Sequence, residues 1–215
     1  MNIDMHCHST ASDDSRATVE QYLKWIGAQR KKGYRIDGIV LTEHRQFNHE
    51  ADYAALARQY NVLVLKGAEL DTRFGHFLVY GIDKRLTELF NLKDVTLDAH
   101  ALMAEARRCG GFAVPAHPGR HGIGLLEWMA EGEKFPEVTV VEKLNAGNRP
   151  DEQQRADKLV EDMGYKGVGG SDAHFVSAVA KAMTQFPDGI YDEKDLVAAL
   201  LDGDFRPVLL EDTHQ

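Results

Sequence analysis

The stretch IDMHCHS, residues 3–9, sets the terms on which the rest of the chain is read. Successive side chains of a strand point to opposite faces, so a strand here carries Ile3, Met5 and Cys7 on one side and Asp4, His6 and His8 on the other. The first face belongs in an apolar core. The second, a carboxylate with two imidazoles, meets either water or a cation.

Working outward, short runs rich in Val, Ile and Leu recur at 37–42, 62–70, 76–82, 111–117, 138–145, 166–172 and 206–210. Between them lie segments of helical period near 18–32, 50–60, 98–109, 123–131, 151–163 and 192–203, with Thr18, Asp98 and Asp151 at their starts. This alternation predicts an α/β fold with a parallel sheet, open or closed into a barrel. No repeat, low-complexity tract or linker divides the chain, so a single domain over 1–215 is expected. The unusual polar residues fall at the C-terminal ends of the predicted strands: His6 and His8, Glu43 and His44, Glu69, His117, Asn145, then Asp172 and His174. In a (β/α) barrel those ends converge on one face. His76 stands instead at the start of its run, and it reaches the same rim only if that strand runs back after the turn in ELDTRFG.

At 215 residues and 43% hydrophobic, the chain is long enough to bury a core without a staple. Its two cysteines, Cys7 and Cys109, make no disulfide framework, and its acidic, histidine-bearing N-terminus does not read as a secretory leader. No apolar run approaches a membrane span. The expectation is a reduced, soluble, cytoplasmic protein. A formal net charge of -9 disfavours a duplex nucleic acid partner, whose affinity comes from phosphates met by Lys and Arg. A phosphorylated substrate is compatible with that charge if carboxylates hold dications, because the ions reverse the local sign.

Of the ten histidines, most sit in these strand-end clusters. A single buried histidine is more often a hydrogen-bonded core residue than a ligand. Recurrence beside acids changes that weighting, since buried carboxylates repel one another unless a cation joins them. His, Asp and Glu without paired cysteines suit Zn, Mn or Fe rather than a thiolate site.

The motifs DMHCHS (4–9), SDD (12–14), TEH (42–44), GAE (67–69), GHF (75–77), AHP (116–118) and GSDAH (170–174), in that order, resemble the PHP (polymerase and histidinol phosphatase) family of metal-dependent phosphoesterases. The resemblance implies a distorted (β/α)7 TIM-like barrel and a site of two to three divalent transition metals. Carried over by position, it implies a first metal on His6, His8, Glu69 and Asp172, and a second on Glu69, His76 and His117. A third falls to Asp13, His44 and His174, with Asp14 adjacent to Asp13 and able to exchange roles with it. The implied activity is hydrolysis of a phosphate ester by a metal-bound hydroxide, with Glu69 and Asp172 central to catalysis. Protonation of the leaving oxygen falls to metal-bound water or to His121. A small phosphomonoester is the leading substrate class. The alternatives are a phosphodiesterase or exonuclease acting on nucleic-acid ends and a PHP module that binds metals without turnover.

Other residues are read more plainly. Asp4 orients an imidazole or a loop amide, or ligates directly, while Glu43 supports His44 or ends its strand in water. Alternation points Cys7 into the core. His49, His100 and His214 read as surface residues. The glycines of GVGGSDAH permit close backbone approach. Arg120, His121 and Asn145 are the candidate substrate contacts, Arg120 by a forked contact to phosphate or else solvated in its loop. Arg16, Arg73, Lys143 and Arg149 are further cations near the predicted rim.

Overall fold

A computed structural model describes residues 1–214. In chain order it runs β1 (Asn2–Cys7), α1 (Val19–Arg30), β2 (Gly38–His44), α2 (Ala54–Tyr60), β3 (Leu63–Thr72), β4 (Gly75–Tyr80), α3 (Lys84–Leu89), α4 (Ala99–Arg108) and β5 (Phe112–Pro115). Then follow α5 (Leu125–Ala130), β6 (Val140–Asn145), α6 (Pro150–Met163), β7 (Lys166–Gly170), β8 (Ala182–Gln185), α7 (Glu193–Asp202) and β9 (Arg206–Leu209). Helix starts follow local chemistry. Thr18 and Gln21 form a capping box on α1, and Asp98 accepts from the Ala101 amide on α4. On α6, Pro150 takes the first helical position, where its missing N–H costs nothing, so the helix begins one residue before the expected Asp151.

Seven strands form one sheet in the order β5-β4-β3-β2-β1-β8-β9, and β6 and β7 form a separate parallel pair. Within the large sheet only β1, β2 and β3 run parallel; β4, β5, β8 and β9 pair antiparallel with their neighbours. The hydrogen-bonded sheet is therefore open: the α/β fold is as expected, but the ladders do not complete the distorted (β/α)7 TIM-like barrel that the resemblance implies. Glycines explain the join that replaces a ladder. A Cβ on Gly169 would stand 2.3 Å from the Met183 carbonyl oxygen, and one on Gly170 2.4 Å from the His6 Cβ, so β7 lies against β8 and β1 only because both positions lack side chains. Just beyond β7, the Asp172 amide donates to His6 O at 2.7 Å and the His8 amide to Ala173 O at 2.9 Å. The Tyr22 hydroxyl fastens the seam by donating to both His8 O and Ala173 O.

All of β1 is buried. Ile3 and Met5 pack with Val40, Leu65, Leu78 and Tyr80, while Cys7 packs with Tyr22, Ile39 and Leu41. Asp4, His6 and His8 are fully buried too, so the polar face of the opening stretch meets other side chains rather than water. No helix among the described residues is long and apolar enough to cross a membrane.

Candidate metal centre

The ends of β1, β2, β3, β5 and β7 deliver the clustered side chains, and β4 adds His76 by running antiparallel to β3. Three residues at these ends hold left-handed backbone: Arg45 at φ 51°, His117 at φ 29° and Asp172 at φ 52°. Strain of this kind, about 1–3 kcal/mol each, persists where the surroundings dictate the direction of a side chain.

Glu69 is the hub. Its Oε2 lies 3.2 Å from His6 Nε2, 3.3 Å from His8 Nε2 and 3.1 Å from His44 Nδ1. Its Oε1 lies 3.0 Å from both His76 Nδ1 and His117 Nε2. Asp172 Oδ1 stands 3.4 Å from the Nε2 atoms of His6 and His8, which are 3.0 Å from each other. A third convergence joins His44 Nε2 and His174 Nε2, 3.3 Å apart, with Asp14 Oδ2 at 3.2 and 3.3 Å from them. Of the expected ligands, only Asp13 lies apart. Its carboxylate points outward, 3.9 Å from Arg45 Nη2, and Asp14 stands where Asp13 was expected, because a tight 9–15 loop turns adjacent side chains to opposite sides.

The donor set fits divalent ions. Ligands held about 2.1 Å from a tetrahedral cation are about 3.4 Å apart, and most donor atoms here lie at or slightly inside that spacing. His44 Nδ1, close to Glu69 but out of line for a hydrogen bond, is buried without a partner, as are His8 Nδ1 and His117 Nδ1. The electrostatics agree. Burial alone would raise the Glu69 carboxyl, but the charge of His6 and hydrogen bonds from His117 and His6, with His44 close beside it, hold it well below the usual range. Burial opposes charge on His6, yet Glu142, Asp172 and Glu69 carry its pKa well above normal. Asp172, buried beside His6 and His8, is likewise driven well down. Buried carboxylates thus draw positive charge into this cluster, and a bound cation can displace those protons.

Around the cluster lie residues that aim it. Glu142 accepts from His6 Nδ1 at 2.9 Å, from the His117 amide at 2.7 Å and from Asn145 Nδ2 at 2.9 Å, so one carboxylate sets His6, the β5 end and Asn145 together. Asp71 lies 3.7 Å from His76 Nε2 and 3.2 Å from Arg45 Nη1. Sequence reasoning missed both. Asp71 shares a strand face with Glu69 two residues away, and Glu142 is a lone acid within an apolar run; those were the available signals. Asp4 takes the amides of His6, Ser171 and Ala180 and the Ser171 hydroxyl, and burial pushes its carboxyl up to about 6 despite them. Glu43 serves Ser9 and Ser12 rather than His44 directly, and the Ser12 hydroxyl in turn accepts from the His44 amide.

Arg120 and Asn145 reach the cluster. Arg120 Nη2 donates to Asp172 Oδ2 at 2.8 Å and to Asn145 Oδ1 at 3.2 Å. His121, expected to act in catalysis and substrate binding, is instead held toward α6: its Nδ1 accepts from Arg155 at 2.7 Å and its Nε2 faces Asp151 at 2.8 Å. Arg73 pairs with Asp98, and Lys143 lies 3.7 Å from Asp157. His100, expected at the surface, is partly covered and stacks on Phe135.

Comparison with known proteins adds a partial family match and a fold. A family model, PHP_C, described as PHP-associated, matches residues 150–205, which include Asp172 and His174. No curated protein sequence matches the chain. Among solved structures, PsfC from Pseudomonas syringae PB-5123 is similar over 99% of this chain and 92% of its own, with TM-score 0.70 and 20% identity. A two-domain protein from Bacteroides vulgatus, titled as containing a predicted PHP-like metal-dependent phosphoesterase, is similar over 98% of this chain and 65% of its own, with TM-score 0.61 and 19% identity. An amidohydrolase from Chromobacterium violaceum, with bound sulfate, is similar over 93% of this chain and 96% of its own, at TM-score 0.57 and 18% identity.

Proposed function

We propose, for a chain whose matched segment and fold support a protein of the PHP family, that it is a metal-dependent phosphoesterase acting on small phosphomonoesters. One observation carries this reading: three sets of nitrogen and oxygen donors meet around Glu69, namely His6, His8, Glu69 and Asp172; Glu69, His76 and His117; and His44 and His174 with His8. Asp14 completes the last set. Zn, Mn or Fe held there would polarise phosphoryl oxygens and activate water near neutral pH.

The chain's own groups divide the remaining work. Glu142 accepts from His6 Nδ1, leaving Nε2 to face Glu69 and Asp172. Asp172 presents Oδ1 to the histidines and Oδ2 to Arg120, so the guanidinium is held at the edge of the cluster. From there its free N–H groups can fork onto a phosphate. Asn145 Oδ1 accepts from the Gly147 amide and from Arg120, fixing both.

A phosphate-release screen over phosphomonoesters, dinucleotides and short oligonucleotides, with metal analysis of the same sample, tests the reading. Metal-dependent release from monoesters is expected. Degradation of oligonucleotides with every monoester ignored would favour an exonuclease, and no turnover in a fully metal-loaded sample would leave a non-catalytic module.

A further inference from the structure

Beside the His44 edge of the centre opens a cleft of about 310 Å³, lined by Ala11, Asp13, His44, Arg45, Gln46 and Lys93. Three loops build it. Gln46 Nε2 donates to Ala11 O at 2.7 Å and ties the first two, while the third is a turn in which the Asp94 amide donates to Asn91 O at 2.9 Å. Arg45 is the only one of the three strained strand-end residues that is not itself a candidate metal ligand. Its left-handed backbone, held by a hydrogen bond from its amide to Glu69 O at 2.8 Å, places the guanidinium at the cleft with Nη1 on Asp71 at 3.2 Å.

The cleft brings two cations, Arg45 and Lys93, together with the acids Asp13 and Asp71. Asp71 already serves Arg45, and Asp13, 83% exposed and 3.9 Å from Nη2, is largely met by water. Lys93 has no ion-pair partner among the described residues. Two cations of different reach thus face a space that adjoins His44. A planar fork and a mobile point charge together suit a carboxylate or a phosphate.

We propose that this cleft is a subsite for a second anionic group, carboxylate or phosphate, carried on the alcohol portion of the substrate whose phosphoester sits at the metal centre. The assignment rests on the phosphoesterase reading and names the substrate class within it: esters with an anionic tail. Its signature is discrimination by KM, since the tail is bound away from the reacting bond.

The test uses three alkyl phosphates of equal length ending in a hydroxyl, a carboxylate or a second phosphate, assayed with the metal-loaded protein at low salt. The expected result is a kcat/KM at least about tenfold higher for one or both anionic tails. The carboxylate and phosphate arms identify which anion the subsite takes. In Arg45→Met and in Lys93→Met the advantage should shrink several-fold, mainly through KM, and in the double variant it should vanish. Lys93 lies on an exposed loop, so its variant keeps the test intact if Arg45→Met is poorly folded. Turnover of all three esters at equal kcat/KM, or an advantage that survives the double substitution, overturns the subsite alone. Failure of the wild type to hydrolyse any of them overturns the phosphoesterase reading and the subsite with it.

Discussion

Arg120 and Asp172 form an ion pair of 2.8 Å in which a single carboxylate serves two sides, Oδ2 toward the guanidinium and Oδ1 toward His6 and His8. The guanidinium and the clustered histidines therefore share one residue. Loss of either partner disturbs both sides of the site.

Arg120→Ala should lower kcat/KM on a phosphomonoester by tenfold or more, one tenfold step being about 1.4 kcal/mol. Arg120→Lys should recover part of this, because a point charge remains while the fork is lost. Steady-state kinetics of the two variants decide the matter; equal rates for Ala and wild type would remove Arg120 from the phosphate contact.

Glu142→Gln should lower metal affinity or activity about 10- to 100-fold, the usual cost of disturbing a group that orients a ligand. The fold should survive, since the amide oxygen can still accept from the His117 amide. Metal titration with a competing chelator gives the readout, and an unchanged affinity would show that His6 needs no such partner.

Metal content is the third point of test. Purified without chelator, the protein should hold about two to three divalent ions per chain. Chelation should lower Tm by roughly ten degrees, because an ion present at a thousand times its Kd stabilises by about 4 kcal/mol and each kcal/mol moves Tm by about 2–4 °C at this size. A Tm indifferent to chelator and to added Zn, Mn or Fe would refute the centre.

Asp14 and Asp13 separate cleanly by stoichiometry. Asp14→Asn should weaken one ion, the one shared with His44 and His174, whereas Asp13→Asn should leave the metal count unchanged. Elemental analysis after dialysis distinguishes them, and the reverse pattern would restore Asp13 as the ligand.

A stability prediction tests the α4 cap. Asp98 accepts from the Ala101 amide and pairs with Arg73, and the amide bond is the main cause holding its carboxyl below the ordinary 3.8. A depressed pKa in the folded state contributes stability that is present above 3.8 and is lost as pH falls through the folded value. Asp98→Ala should therefore cost about 1 kcal/mol near neutral pH. Denaturant titrations of the two proteins should converge in acid below that window; a difference that persisted there would point to packing rather than charge.

Much of the centre was legible in one dimension because its donors sit at strand ends, and a strand fixes which side each residue faces. Alternation in β1 put Asp4, His6 and His8 together, and the position of the other polar residues at the C-terminal ends of predicted strands implied that those ends would converge. The same logic required β4 to run back for His76 to arrive, and it does.

Tertiary structure decided the rest, for reasons that sequence patterns do not carry. In the 9–15 loop no period assigns direction, so the choice between Asp13 and Asp14 waited on hydrogen bonds from Ser9 and Ser12 to Glu43. His121 follows Arg120 directly, yet Arg155 and Asp151, distant in sequence, turn it away from the cluster. The four residues of β8 carry too short a pattern to announce a strand and are placed by pairing with β1 and β9. The open sheet has a similar origin. Glycine at 169 and 170 permits close approach, but only the packed neighbours Met183 and His6 determine that β7 uses it to lie against β8 and β1 instead of completing a ladder. Residue type and spacing thus determined the donors and their convergence, while contacts between segments far apart in the chain determined orientation, because direction in loops and closure of sheets depend on what packs against them.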